Sequence, residues 1–565
     1  MIVRLTRLKP LAPYFLIGLV ALLGHGLLLF NDGIYFDDWI LQPMLAESNW
    51  SELQSWFSQM GLPFPPYIYW GVKLAGGYYQ AVALLAKFFS AVLIYNICLR
   101  FSWVNRYEAL GIALLSLVYP AYQVAATFCN LTYEFYYCLF LLAAWLLLRT
   151  EQIKDHNGLG LLARLPPLLL FFIAFNLNSL LVFYFSFLLL LFLYLKQARQ
   201  ISWLAAAKTW LPRYADFILL PFAYWIGKKV FFPTHGLYAN YNVIKLNLAS
   251  IADNLLTFIM TAGYAQVEAS VARLMGQPIL WFLILVGIYL AYAKFMRKKD
   301  SLALSHFQIE QLSRKTKWIF LYGGGLLLSG IFAYSAVGLS PTLSGWNTRH
   351  AILVGLPMAI LIVAALRPIW INGLYHETGS FDSRVVSVLI GGSLLVAFTL
   401  STISYYVGWQ ARAIKDRAIM TILAEAPVLK NFSVFWIDDQ FPAGGERAYR
   451  FYEWSGMFKQ VWGGESRIGL QMQVYGNNPA ILPGFKQYST KFYTLSEFDP
   501  SGCQVKIGIT RGSMQYSDAE LVRQYFKQRF FNKTGLADFL HGVVHLDVQF
   551  LPSEDKRCFV DIGKK

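Results

Sequence analysis

Residues Phe30 to Pro43 read FNDGIYFDDWILQP. Asp32, Asp37 and Asp38 lie close together there, directly after a long apolar run. Tyr35, Phe36 and Trp39 surround them, and no Lys or Arg occurs between Lys9 and Lys73 to neutralise them locally. Neighbouring carboxylates that are partly desolvated have shifted pKa values. Asp37 or Asp38 can then accept a proton from an attacking hydroxyl near neutral pH. A divalent ion can also enter such a pair, although nothing in the pattern makes one obligatory. The plainer alternative is a solvated loop whose aspartates cap a helix.

The rest of this loop suits a membrane surface. ESNWSELQSWFSQMG puts Trp50, Leu53, Phe57 and Met60 on one helical face, the pattern of a helix lying in the interface or packed on a protein surface. LPFPPYIYW then brings Tyr67, Tyr69 and Trp70 to the same level. Rings at that depth anchor a protein to lipid or stack on a sugar. Glu134, in CNLTYEFYYC, is an intramembrane carboxylate, a candidate for function or for a structural hydrogen bond. Lys228 and Lys229, in YWIGKKVFFPTHG, and Arg349 and His350, in SGWNTRHAILVG, sit at outer ends of apolar segments. Such cations reach lipid head groups or hold a phosphate. Taken together, these positions point to an anionic ligand.

These residues need a membrane frame. The chain has 565 residues, 56% hydrophobic and 14% charged, with a mean hydropathy of +0.45. A soluble domain carries about 25% charge. Apolar runs of about 20 residues, enough to cross a bilayer, recur along the chain. Expected spans lie at 11–30, 73–99, 107–128, 132–148, 165–176, 179–195, 214–232, 278–293, 318–337, 350–366 and 385–407. The basic start, Met1 to Pro10, is followed by no small-residue cleavage site, so the first run reads as a retained span.

Charge decides whether 165–195 holds one span or two. With two, 21 Lys and Arg fall in the N-terminus and five loops on one face. The opposite loops hold none in 31–72, and Lys245 and Arg273 in 233–277. Positive residues favour the cytoplasm. The expectation is a multi-pass protein of the inner or plasma membrane, with about eleven spans, a cytoplasmic N-terminus and an extracytoplasmic tail. The net charge of +16 then reflects topology and calls for no nucleic acid.

The chain divides into a helical membrane module, 1–407, and a soluble α/β domain, 408–565. The second part has 20 Lys and Arg against 16 Asp and Glu. SVFWID and VVHLDVQFL read as strands. SDAELVRQYFKQRFF reads as a helix opened by Ser517 and Glu520 in capping-box spacing. Of five cysteines, Cys503 and Cys558 are in the tail, where an oxidising compartment permits a disulfide. No cysteine spacing is of the metal-binding kind, and no internal repeat is visible.

An acidic pair in the first outer loop, here YFDDW, with an interfacial helix, about eleven spans and an outer C-terminal domain, resembles the GT-C superfamily of polytopic membrane glycosyltransferases. The resemblance implies a sugar donor carried on a polyprenyl phosphate or pyrophosphate. It implies transfer outside the cytoplasm to a lipid, glycan or protein acceptor, by inverting attack. In that family's terms Asp37 or Asp38, with Asp37 preferred, activates the acceptor hydroxyl. Glu134 orients the acceptor or helps hold an ion. Arg349 with Lys228 or Lys229 binds the lipid phosphate, and His350 assists. Tyr67 and Trp70 lie where a sugar ring would stack. The chain lacks the tryptophan-tryptophan-aspartate signature of oligosaccharyltransferases. It has Asp-Asp where protein mannosyltransferases have Asp-Glu. A glucosyl- or aminoarabinosyl-type lipid-linked transferase fits better.

Three other readings use the same residues. A transporter or flippase of lipid-linked sugars would couple protons through the carboxylates. A surface-polysaccharide polymerase would share the lipid-linked substrate. A scaffold would use the tail to hold a partner.

Overall fold

The computed structural model describes residues 11–150, 159–239, 243–244, 247–295, 306–375, 383–441, 448–464, 466–476, 478–492 and 498–551. A helix forms at every expected span. Among the described residues, six helices are long and apolar enough to cross a membrane: Ala12–Phe30, Tyr79–Cys98, Phe128–Thr150, Ser179–Gln197, Ser313–Ser335 and Arg384–Ala424. Leu162–Ala174 and Gly355–Ile371 are apolar but shorter. Arg106–Val118, at 13 residues, is about 20 Å long.

The stretch 165–195 is two helices, Leu159–Ala174 and Ser179–Arg199. Asn176 ends the first by donating from Nδ2 to the Ile173 carbonyl at 3.1 Å. Asn178 opens the second without a capping bond of its own. The stretch 233–277 is also helical in part. Leu248–Phe258 and Ala265–Met275 are joined by a π turn, and the second packs along the last membrane helix.

That last helix is longer than its apolar part. It runs unbroken from Ser383 to Ala424, 42 residues. Residues 409–424 contain no Gly or Pro and are rich in Ala and Ile, so nothing local stops the helix where the apolar run ends. The membrane module and the tail therefore share one rigid rod.

Among the described residues the tail forms a four-stranded sheet, and its helices and fourth strand pack against this rod. Its strands are β1 (Val434–Asp439), β2 (Ile468–Gln471), β3 (Gln504–Arg511) and β4 (Val544–Phe550), in the order β2-β1-β3-β4. β1 is parallel to β2 and β3, and β4 is antiparallel to β3. Val434 to Ile437 of β1 are fully buried, as a central strand covered on both faces requires. The expected helix forms at Asp518–Phe531, and the Ser517 hydroxyl caps it. Glu520 does not close the capping box. Its carboxylate turns to Arg523 and Gln524. Cys503 is disulfide-bonded. Cys558 lies outside the described residues, and Cys98, Cys129 and Cys138 are free.

The tail's core is not its own. Trp39, Ile40, Met44, Leu53 and Phe57 of the loop after the first apolar segment pack in one apolar cluster with Ala411, Ile414, Trp436 and Trp454. Contact is close enough to demand glycine. A Cβ on Gly456, in the tail helix Phe451–Trp462, would lie 2.5 Å from Trp39 Cε3. The loop helix Trp50–Gln59 buries Leu53, Trp56 and Phe57 against protein, rather than lying free on the membrane.

Candidate active site

The acidic loop is folded by its own polar atoms. Asn31 Oδ1 accepts the Gly33 N–H at 3.0 Å, and the Tyr35 hydroxyl is shared between Asn31 Oδ1 and the Trp409 carbonyl, each at 2.8 Å. Phe36 then adopts φ of 49°, a left-handed conformation costly for a large side chain. Such strain persists where the surroundings hold it. Here the Arg412 guanidinium covers the Phe36 ring at 4.7 Å, and the Phe36 N–H donates to Glu453 Oε2 at 3.3 Å. Trp346 and Trp409 pack on the same ring, with centroids 4.7 and 5.5 Å away.

The turn separates the three aspartates. Asp38 is fully buried. Its carboxylate accepts the backbone N–H groups of Tyr35 at 3.2 Å, Phe128 at 3.2 Å and Cys129 at 2.7 Å. Burial pushes its pKa up to about 7, against the pull of these hydrogen bonds. Asp38 thus staples the acidic loop to the start of helix Leu131–Thr150. Asp37 is only part-buried, and the Tyr452 hydroxyl donates to its Oδ1 at 2.8 Å. Asp32 faces the tail and pairs with Arg417 at 2.5 Å and Arg529 at 2.9 Å.

Beneath the loop lies a buried charge network. Arg412 Nη2 meets Glu453 Oε2 at 2.6 Å, with both side chains essentially inaccessible. Lys415 pairs with Asp439 at 2.5 Å, at the carboxyl end of β1, and the Tyr449 hydroxyl donates to Asp416. Arg412, Lys415 and Asp416 come from the long helix; Asp439, Tyr449 and Glu453 come from the tail. Removing one partner of such a pair strands a buried charge.

Of the expected basic residues, Arg349 is linked to the acidic loop through one aromatic ring. Its guanidinium covers Trp346 at 4.3 Å, and Trp346 packs on Phe36, the neighbour of Asp37. His350 is buried and turned elsewhere, with Nδ1 3.1 Å from the Ser340 carbonyl and its ring against Tyr334. Lys228 donates to Asn178 Oδ1 at 2.9 Å and lies near Gly61, at the far end of the loop after the first apolar segment. Lys229 lies over Trp225 at 5.3 Å. Tyr67 and Trp70 join Trp50 in a rim of edge-to-face rings, and Lys73 sits over Trp70 at 4.8 Å.

Glu134 is buried and pairs with Lys87 at 2.7 Å. The pair lines a cavity of about 50 Å³ with Ser90, Tyr122, Tyr137 and Ile352. Lys87 was the residue that sequence reasoning passed over. A lone lysine inside an apolar run, with a carboxylate in a later one, is the signal that would have linked them. Tyr452, Glu453 and Arg412 were missed as well. Arg412, Lys415 and Asp416 at helical spacing, just past the last apolar run, were the available hint of a buried polar face. Among the described residues, no three His, Cys, Asp or Glu side chains are grouped to hold a metal ion.

No protein-family profile matches the chain, and no curated protein does. A solved structure does. The chain is similar in fold to ArnT from Cupriavidus metallidurans, in a crystal structure bound to undecaprenyl phosphate. The match has a TM-score of 0.37 and 12% identity, and covers 89% of this chain and 93% of that one. No residue role is carried over from it.

Proposed function

We propose that this chain is an integral membrane glycosyltransferase. It moves a sugar from a polyprenyl phosphate or pyrophosphate donor to a lipid, glycan or protein acceptor on the extracytoplasmic side, with the N-terminus in the cytoplasm. The observation that carries the reading is the divergent pair after the first span. Asp38 is consumed in holding the loop, and Asp37 is left part-buried, gripped at one oxygen by Tyr452.

The chemistry follows from that division. An acceptor hydroxyl attacks the anomeric carbon of the donor sugar while Asp37 takes its proton. The bond from that carbon to the phosphate oxygen breaks, and the electrons leave with the polyprenyl phosphate. Attack and departure on opposite faces invert the anomeric centre. Arg349, tied to the loop through Trp346 and Phe36, is the cation best sited to offset the phosphate charge. Lys228, beside Asn178 and Gly61, and Lys229, over Trp225, fit the lipid phosphate or head groups. Glu134, paired to Lys87, orients polar substrate groups from inside the bundle. Tyr67 and Trp70 offer a stacking edge to a sugar.

The test is transfer from a radiolabelled polyprenyl-phosphate sugar in membranes. Wild type should transfer, and Asp37→Asn at matched, folded expression should not. Equal transfer by both would refute Asp37 as the base.

A further inference from the structure

The tail helix Asp518–Phe531 ends in two uncovered phenylalanines. Phe530 is 51% and Phe531 is 87% exposed. This end of the helix is also the end that reaches the membrane bundle. Phe526 and Phe530 meet Phe30, the last residue of the first apolar segment, with ring centroids 6.1 and 6.2 Å apart. Arg529 pairs with Asp32 immediately beyond that segment.

The first segment turns an apolar face outward. Phe15, Leu19, Leu22, Leu23 and Leu29 are all exposed on it, on a helix long and apolar enough to cross a membrane. Phe30, itself 49% exposed, joins that face to Phe530 and Phe531. The strip thus continues from a lipid-facing surface onto the tail. Lys527, Arg529 and Lys533 flank its end. Aromatic rings with a basic collar suit the boundary between acyl chains and phosphate head groups.

We propose that Phe530 and Phe531 enter the bilayer leaflet on the tail's side, so that the tail is moored to lipid as well as to the long helix. The occupant of this surface is phospholipid. A partner protein would have to cover a strip that continues down a membrane span. The mooring holds the height of the tail, and with it Tyr452, relative to the membrane. The inference stands apart from the transferase reading.

The test uses the full chain in nanodiscs of phosphatidylethanolamine and phosphatidylglycerol. A photoreactive p-benzoylphenylalanine replaces Phe531, Phe15 or Ser501, one at a time. Ser501 is exposed beside the amino-terminal edge of the parallel strands, the edge away from Lys415. After irradiation, mass spectrometry should find phospholipid adducts at positions 15 and 531 and none at 501. Position 531 behaving like 501, or joining a second copy of the chain instead of lipid, would overturn the proposal.

Discussion

Tyr452 donates its phenolic hydrogen to Asp37 Oδ1 at 2.8 Å, across 415 residues of sequence. The next residue, Glu453, accepts the Phe36 N–H and pairs with Arg412. One turn of a tail helix therefore grips both the strained residue of the acidic loop and the carboxylate beside it. The tail is part of the candidate site.

Asp37→Asn keeps the shape of the side chain and the partner of Tyr452 but removes the proposed base. General-base catalysis contributes about 10²–10⁴-fold. Transfer in membranes should fall by at least about 100-fold, with the melting temperature in detergent within a few degrees of wild type.

Tyr452→Phe removes one hydrogen bond to a carboxylate, a contact worth about 1.5–3 kcal/mol. If the bond serves to aim Asp37, kcat should drop about tenfold while KM stays within about twofold, since 1.4 kcal/mol is tenfold in rate. An unchanged kcat, at equal folded protein, would reduce Tyr452 to a packing residue.

Asp38 gives stability a pH dependence. Its folded pKa of about 7 lies above the unfolded carboxylate value of about 3.9. The folded state therefore holds the proton more tightly. The stability from this group is complete below about pH 4 and is lost as pH rises towards 7. Melting in detergent should be lower at pH 8 than at pH 5. Asp38→Asn should flatten that difference and lower the melting temperature throughout, because an amide cannot accept all three backbone N–H groups.

Arg412→Met leaves Glu453 charged and buried, at a cost of about 3–5 kcal/mol. Arg412→Met with Glu453→Gln removes both charges and should recover part of that loss. Thermal melting of the two variants in the same detergent checks the sign. A double variant no more stable than the single would show that the pair does not hold the tail to the rod.

Gly456→Ala should also loosen the tail, because the added methyl meets the Trp39 ring. Overpacking of this kind costs about 1–3 kcal/mol. Limited proteolysis should cut the tail faster than in wild type, and suppression by Trp39→Leu would confirm the clash as the cause.

The helices were legible along the chain because an apolar run of span length announces itself without reference to anything distant. The split at Asn176–Ser179, the strand at Val434–Asp439 and the helix begun by Ser517 belong to the same class, set by local hydropathy, capping and alternation. The acidic residues were legible too, as unpaired charge beside a span. Their division of labour was not. Asp38 and Asp37 are neighbours of one type, and the strained turn at Phe36 buries one fully and leaves the other part-buried. Asp32 looked unneutralised because its partners, Arg417 and Arg529, come from the far end of the chain. Pairings such as Asp37 with Tyr452, or Arg412 with Glu453, leave no periodic trace in sequence. They arise when buried charges must find partners among whatever surfaces packing brings together, and that choice belongs to the tertiary structure alone.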